Sequence, residues 1–300
     1  MALKQIKNKI IATKKTGQVT KAMESVSAVK MRKSQERAFL GRPYVHSALR
    51  ILSKITKSTR GLKHPLLATH EEGGVLVVVV TSDKGLAGSL NSAVLKRAEK
   101  IFKEYENVSV IVIGKKALEF SLREKKSIIA SYTNVKDDVT LSDVYDISEK
   151  VITSYLNKEF KLVKIVYQNF ISTFEQEPVS RTVLPLDNEE VKQIMFGIRP
   201  RIGKFSQDDI KFDTTISYNI EPEPEEVLEI LLPQLVQILI YHSLLENKAS
   251  EHSARMVAMK NATDKSKELV RSLTTKFNKA RQAAITSEVS EITAGVEAMK

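Results

Sequence analysis

From Ile238 onwards, apolar and small residues recur at alternating steps of four and three: His242, Leu245, Ala249, His252, Met256, Met259, Thr263, Ser266, Val270, Leu273, Phe277, Ala280 and Ala284. After Ala284 the stripe shifts by one residue to Ile285, Val289, Ile292, Val296 and Met299. Some six heptads in one register is the pattern of a coiled-coil seam rather than of an ordinary globular helix. A helix from about Pro222 to Lys300 would be about 115 Å long at 1.5 Å per residue, far beyond a small domain's diameter. Pro222 and Pro224 stand at its start, where Pro is tolerated. Such a helix cannot bury its own stripe, so a second long helix is needed.

The other end of the chain supplies one. Leu3, Ile6 and Ile10 fall at steps of three and four, the stripe restarts at Val19, Met23 and Val26, and Val45, Leu49 and Leu52 resume it. This is helical periodicity with a disturbance near Gly17 and a bend or break near Gly41-Arg42-Pro43. Unbroken to Lys57, it would be about 80 Å long. The two ends are expected to pair antiparallel. The small seam residues Ala249, Thr263, Ser266, Ala280 and Ala284 allow close approach but bury little, so the pair is thin and only modestly stable alone. Met, Val and Ile remaining on the outer surface call for a further partner.

Charge is concentrated on the same element. Residues 1–63 hold 16 Lys or Arg against two acids, Glu24 and Glu36, a local net of +14 within a chain total of +11. A basic arm of this kind suits nucleic acid, an anionic membrane surface or an acidic protein. Aromatics are almost absent before Phe39, which argues against stacking on single strands. The apolar stripe among the charges favours a helix partner over duplex DNA. The chain has no Cys, which excludes disulfides, thiolate metal sites and cysteine nucleophiles.

Between about Gly61 and Asp213 the texture changes. Val75–Val80 and Val108–Ile113 are β-branched runs suited to strands buried on both faces, each followed by a Gly-containing turn and a helical stretch, Leu90–Tyr105 and Lys115–Arg123. Leu162–Gln168 reads as a third strand and Phe174–Leu184 as a fourth, at an edge. This is a doubly wound α/β pattern. No element is assigned over Pro185–Tyr218. The segments are therefore 1–60, an N-terminal shaft helix; 61–218, a central Rossmann-like α/β domain; and 219–300, a C-terminal shaft helix. The first and last pair as one antiparallel coiled coil.

Thr81–Asn91 follows a strand and precedes a helix, the place where α/β folds bind phosphate, but it matches neither glycine-rich phosphate motif. It reads as a tight turn in which Ser89 or Asn91 caps the next helix. Gly114-Lys115-Lys116 likewise lacks the rest of a P-loop. The five His are scattered without metal-ligand spacing, and there is no G-x-S-x-G elbow. Val227–Leu245 is apolar but carries Glu229, Pro233, Gln234, Gln237 and His242, which favours a buried helix over a membrane span.

Three ordered segments resemble the γ subunit of F-type ATP synthases. They are Ile6-Lys-Asn-Lys-Ile10 with Thr20–Glu24, Lys30–Gln35 and Arg42-Pro-Tyr44; Thr81–Gly88 with Asn91; and Ser250–Lys260 with Ala262-Thr-Asp264, Asn278–Thr286, Glu288, Glu291-Ile292 and Gly295. The resemblance implies a non-catalytic central rotor of a proton-translocating synthase, with no cofactor and no metal. The rotor passes c-ring rotation to the β subunits and regulates ATPase activity and proton flow. Its partners would be the α and β subunits, the ε subunit and the c-subunit ring. It would bind no nucleic acid and lie peripherally at the cytoplasmic face of the bacterial plasma membrane, no signal or transit peptide being evident.

By the same resemblance, Lys21, Met23, Lys30 and Arg32 face acidic β-subunit loops, and Arg281, Gln282 and Thr286 catch β-subunit loops higher in the head. Val289–Met299 would lie in an apolar bearing, and Tyr218 and Glu221 in the foot near the c ring and ε. Ile220 stands where relatives often have a second Tyr, and Ala87 where they often have Cys. The inserted cysteine pair of the chloroplast version is missing, so thiol regulation does not carry over. The alternative is a basic coiled-coil scaffold for nucleic acid.

Overall fold

The computed structural model describes residues 3–58, 64–187 and 223–299. Both ends of the chain are single long helices, α1 (Leu3–Ser58) and α5 (Pro224–Glu297). Between them run β1 (Gly74–Val80), α2 (Leu90–Glu104), β2 (Val108–Ile113), α3 (Lys115–Arg123), β3 (Ser127–Tyr132), α4 (Leu141–Leu156), β4 (Phe160–Phe170) and β5 (Gln176–Leu184). Contacts group the chain into two compact units, Met1–Ser27 with Met256–Lys300, and Ala28–Arg255. The segments named from sequence follow elements, whereas these units cut both long helices; the boundary at 218/219 lies outside the described residues.

The unit Ala28–Arg255 is built on a five-stranded sheet of order β3-β2-β1-β4-β5. The first four strands are parallel, and β5 returns antiparallel on β4. The β-branched run of β1 has to be continuous because both of its faces are covered. Val75, Val77 and Val79 pack with Val94, Ala98 and Ile101 of α2 and Phe120 of α3. Leu76, Val78 and Val80 share the other core with Val144, Ile147 and Val151 of α4, Met31 and Ala38 of α1, and Leu232, Leu235 and Leu239 of α5.

Two elements escape the sequence reading. β3 (SIIASY) is short and at the sheet edge, so alternate residues are exposed and no continuous apolar run marks it. Helix α4 carries a usable signal, a capping box between Thr140 and Asp143 ahead of Val144, Ile147, Val151 and Tyr155 at helical spacing. The expected third strand is thus fourth in chain order. Of the unassigned stretch 185–218, residues from 188 onward lie outside the described residues.

Gly114, φ +95°, is fixed by close approach: a Cβ there would stand 2.3 Å from the Thr81 carbonyl oxygen. The break expected near Gly41–Pro43 does not interrupt α1, which is helical throughout with Pro43 inside it. One missing i→i−4 bond is tolerated within so long a helix.

The coiled-coil reading of Ile238–His252 also changes. Leu244 through Ser253 is buried on every side of the helix, as is typical of a core helix rather than a two-helix seam. Helix α5 is the one described helix long and apolar enough to cross a membrane, and the apolar run Val227–Leu245 is largely enclosed by the core just described.

In the unit Met1–Ser27 with Met256–Lys300, the seam is as expected on α5. Met259, Thr263 and Leu273 are buried, and Ser266, Val270, Phe277, Ala280 and Ala284 half-buried. On α1 the buried stripe runs Ile6, Ile10, Thr13, Gly17, Thr20 and Ser27, while Val19 and Val26 are exposed at 59% and 53%. The sequence reading followed hydrophobicity; the structure follows size. A Cβ on Gly17 would meet Ser266 Cβ at 3.3 Å, and Thr20 Oγ1 lies 2.7 Å from Thr263 Oγ1. Three residues forward in α1 correspond to three residues back in α5, which is antiparallel register. Continued, that register places Leu3 opposite Ala280, so residues beyond about 280 face no α1 residue among those described.

The Thr20–Thr263 bond gives a direct test. Thr20→Val removes one of the two partners of Thr263 Oγ1, which keeps the Met259 carbonyl at 2.8 Å, and is expected to cost about 1 kcal/mol, seen as roughly fivefold faster amide exchange in residues 10–27. Thr20→Val with Thr263→Val should recover most of it. Equal exchange in the single variant and the parent would remove the hydroxyl pair from the account.

Candidate functional site

In a sheet of this topology the strand order reverses between β1 and β4, and the crevice at the carboxyl ends of the strands is where ligands bind. Here the chain's own groups occupy it. Asp83, after β1, accepts hydrogen bonds from Lys115 N–H and Val135 N–H, both at 3.1 Å. Thr81 Oγ1 accepts from Ala117 N–H at 2.8 Å. The N-terminal donors of α3, which an anion would use, are thereby partly taken. Ser89 and Asn91 do not cap α2 as expected: Ser89 makes no side-chain cap bond, and Asn91 Oδ1 reaches back to accept from Ser82 N–H at 3.0 Å. The turn is closed on itself.

Helix α5 covers what remains. Asn247 Oδ1 accepts from Gln168 N–H at the end of β4, Ser250 Oγ donates to the Gln168 carbonyl, and Ser253 Oγ donates to the Thr173 carbonyl. Arg255 donates to the Gly85 carbonyl through Nε at 3.4 Å and Nη2 at 3.3 Å, and pairs with Glu251 at 2.6 Å. Lys248 donates to the Val135 carbonyl at 3.0 Å and stands 3.7 Å from Asp137. Asp137 also takes Lys30 of α1 at 2.6 Å. The segment Ser250–Arg255, prominent in sequence, is thus a row of side chains stitching α5 over the strand ends.

The electrostatics follow from burial. His252 is pushed down to about 4, first by burial and then by the cations Arg255 and Lys248, against the opposing pull of Glu251 and Asp137. Its Nε2 lies 3.3 Å from Asp137 Oδ1 without an aligned hydrogen bond. Burial would raise the Asp137 carboxyl, but the hydrogen bond from Lys30 and the neighbouring positive charges outweigh it and hold it low. Those charges are His252, Lys248 and Lys30 in that order; near pH 7 the imidazole is neutral and the two lysines alone face the carboxylate.

The residues expected to meet partners are spread over both units. Lys21 is exposed and pairs with Glu24 at 3.0 Å, and Met23 is half-buried. Arg32, Arg281, Gln282 and Thr286 are exposed, Thr286 donating to the Gln282 carbonyl. Lys30 differs, because Asp137 engages it. Tyr218 and Glu221 lie outside the described residues. A groove of about 670 Å³ between α1 and α5, floored by Gly17, Thr263 and Ser266, is rimmed by Lys14, Lys21, Lys267 and Arg271. Periodicity could have found the groove from its small residues, but its added cations come from both helices and required the register. Among the described residues, no group of three or more His, Asp or Glu could hold a metal ion.

Residues 2–299 match the ATP synthase family model, that of the F1 γ subunit. The chain belongs to the ATP synthase γ-subunit family. It is accordingly a central-stalk subunit of an ATP synthase complex, which works in ATP synthesis at a membrane. The fold is shared with solved central stalks. A central-stalk chain of the Tetrahymena thermophila mitochondrial ATP synthase is 24% identical with TM-score 0.58, covering 81% of this chain and 99% of that one. A rotor chain of the Euglena gracilis enzyme is 17% identical with TM-score 0.63, covering 94% and 98%. A chain of the Euglena OSCP/F1/c-ring assembly is 19% identical with TM-score 0.64, covering 99% and 94%.

Proposed function

We propose that this γ-family chain is the rotating, non-catalytic element of a proton-translocating synthase, carrying c-ring rotation to the β subunits and regulating ATP hydrolysis and proton flow. The observation that carries the non-catalytic reading is the covered crevice: Asp83 and Thr81 take two of the α3 donors that a nucleotide would use, and α5 lies over the strand ends. On this reading the solved relatives' setting, a central stalk with a c ring, extends to this chain, with α and β subunits around it and ε beside it. The cytoplasmic face of a bacterial plasma membrane is the proposed location.

Lys21, Met23, Lys30, Arg32, Arg281, Gln282 and Thr286 are proposed to face the β subunits, with Tyr218 and Glu221 at the foot. The basic rim of the groove supports this through charge complementarity with acidic loops. Exposed Val19 and Val26 among these cations favour a protein partner over duplex nucleic acid. The test is reconstitution with α and β subunits and a marker fixed to this chain. ATP should drive rotation of the marker, and removing residues 281–300 should lower torque or turnover. Assembly with full hydrolysis and a marker that never turns would sink the proposal.

A further inference from the structure

Among the described residues, force applied to the sheet reaches α1 and α5 through the contacts inside the unit Ala28–Arg255. Most of these are apolar, and apolar attraction is non-directional, so packed helices can slide by small shear steps. Directional, charge-assisted bonds resist such sliding. Helix α5 sends some of these to the turn after β1 and to the end of β4, whereas the connection from β3 to α4 receives them from α1 as well as from α5. Val135 and Val139 offer carbonyls to Lys248 and to Tyr241 and Arg37, and Gln237 donates to the Leu141 carbonyl at 2.9 Å. Asp138 pairs with Arg37 at 3.2 Å, but its carboxylate is largely exposed.

Asp137 is different in kind. Its single carboxylate meets Lys30 of α1 at 2.6 Å through one oxygen, and Lys248 and His252 of α5 at 3.7 and 3.3 Å through the other. Lys248 and His252 are buried. One side chain of the α/β layer therefore touches both long helices at once.

We propose that Asp137 is a positioning residue for torque transfer, a clasp that fixes the register of α1 and α5 against the sheet. This rests on the rotor reading above. It also gives Lys30 a role inside the chain, as the α1 half of the clasp.

The experiment uses the complete membrane-bound complex assembled with Asp137→Asn, Lys30→Gln and the double variant, reading ATP hydrolysis and ATP-driven proton pumping together. Asp137→Asn is nearly isosteric, and Lys30 is half-exposed, so the second variant folds even where the first assembles poorly. Asp137→Asn is expected to keep hydrolysis within about twofold while pumping per ATP falls threefold or more, and Lys30→Gln to lower pumping per ATP by a similar factor. The double variant should be no worse than the poorer single, because both remove one interaction. Asp137→Glu should retain more coupling than Asp137→Asn, and Asp138→Asn should leave it unchanged. Parental coupling in both single variants, or strictly additive losses, would overturn the clasp. A parent complex that neither rotates nor pumps would overturn the rotor reading itself, and the clasp with it.

Discussion

Arg255→Ala is expected to destabilise the unit Ala28–Arg255 by about 3–5 kcal/mol, the cost of breaking a buried ion pair from one side. Arg255 is 7% exposed and Glu251 3%. The guanidinium serves the Glu251 carboxylate at 2.6 Å and the Gly85 carbonyl through two nitrogens. Removing it strands a carboxylate whose other cation, Lys248, is 3.8 Å away. It also leaves Gly85 without its donor and opens space over the strand ends. Arg255→Lys keeps the charge but lacks the planar fork, so it should recover only part of the loss. Glu251→Gln with Arg255→Met should be far less harmful than Arg255→Ala, because no charge is then left unpaired. Denaturation of the full chain reads this as a shift in midpoint at unchanged slope. A loss below about 1 kcal/mol for Arg255→Ala would mean that solvent reaches Glu251 and the pair is not buried in solution.

Residues that face one kind of neighbour were legible in the sequence, and residues that face several were not. Val75–Val80 and Val108–Ile113 read as strands because both faces meet apolar side chains, so composition alone marks them. Thr263, Ser266 and Ala280 read as seam because a heptad repeats whatever the residue size. Val19 and Val26 misled for the converse reason, since on this thin pair apolar side chains point outward and Gly17 and Thr20 point inward. Ile238 to His252 kept the heptad spacing while being buried on all sides, and spacing cannot distinguish one covered face from four. β3, an edge strand paired on one side, gave no signal. The site divides in the same way. Segment order revealed the family, but that Asp83, Asp137 and Arg255 close the crevice depends on which strand ends adjoin. That Lys30 pairs with Asp137 could not be read, because the acid is 107 residues away.

The same enclosure should make the chain acid-sensitive above the range where carboxylates titrate. His252 is held near 4 in the folded state against 6.5 ordinarily. A depressed value means that the unfolded chain binds the proton first, so stability is complete above about pH 6.5 and falls as pH drops towards 4. Below that the folded form is protonated too and the loss levels off at about 3 kcal/mol, with about 2 kcal/mol already gone at pH 5. The groups that set this window are Glu251 and Asp137, which favour the charged imidazole, and Arg255 and Lys248, which oppose it together with burial. His64 shifts in the same direction, burial outweighing Glu229, so the parent alone is not diagnostic. His252→Gln removes the proton site and offers an amide towards Asp137. Its stability should change between pH 7 and pH 5 by about 2 kcal/mol less than the parent's. The Asp137 carboxyl, held below its ordinary 3.8, adds its own loss mainly in stronger acid, beginning at about pH 5, so the comparison is made between pH 7 and 5, where the imidazole dominates. Parallel pH profiles for parent and His252→Gln between pH 7 and 5 would show that the imidazole reaches water, and that α5 does not seal the crevice in solution.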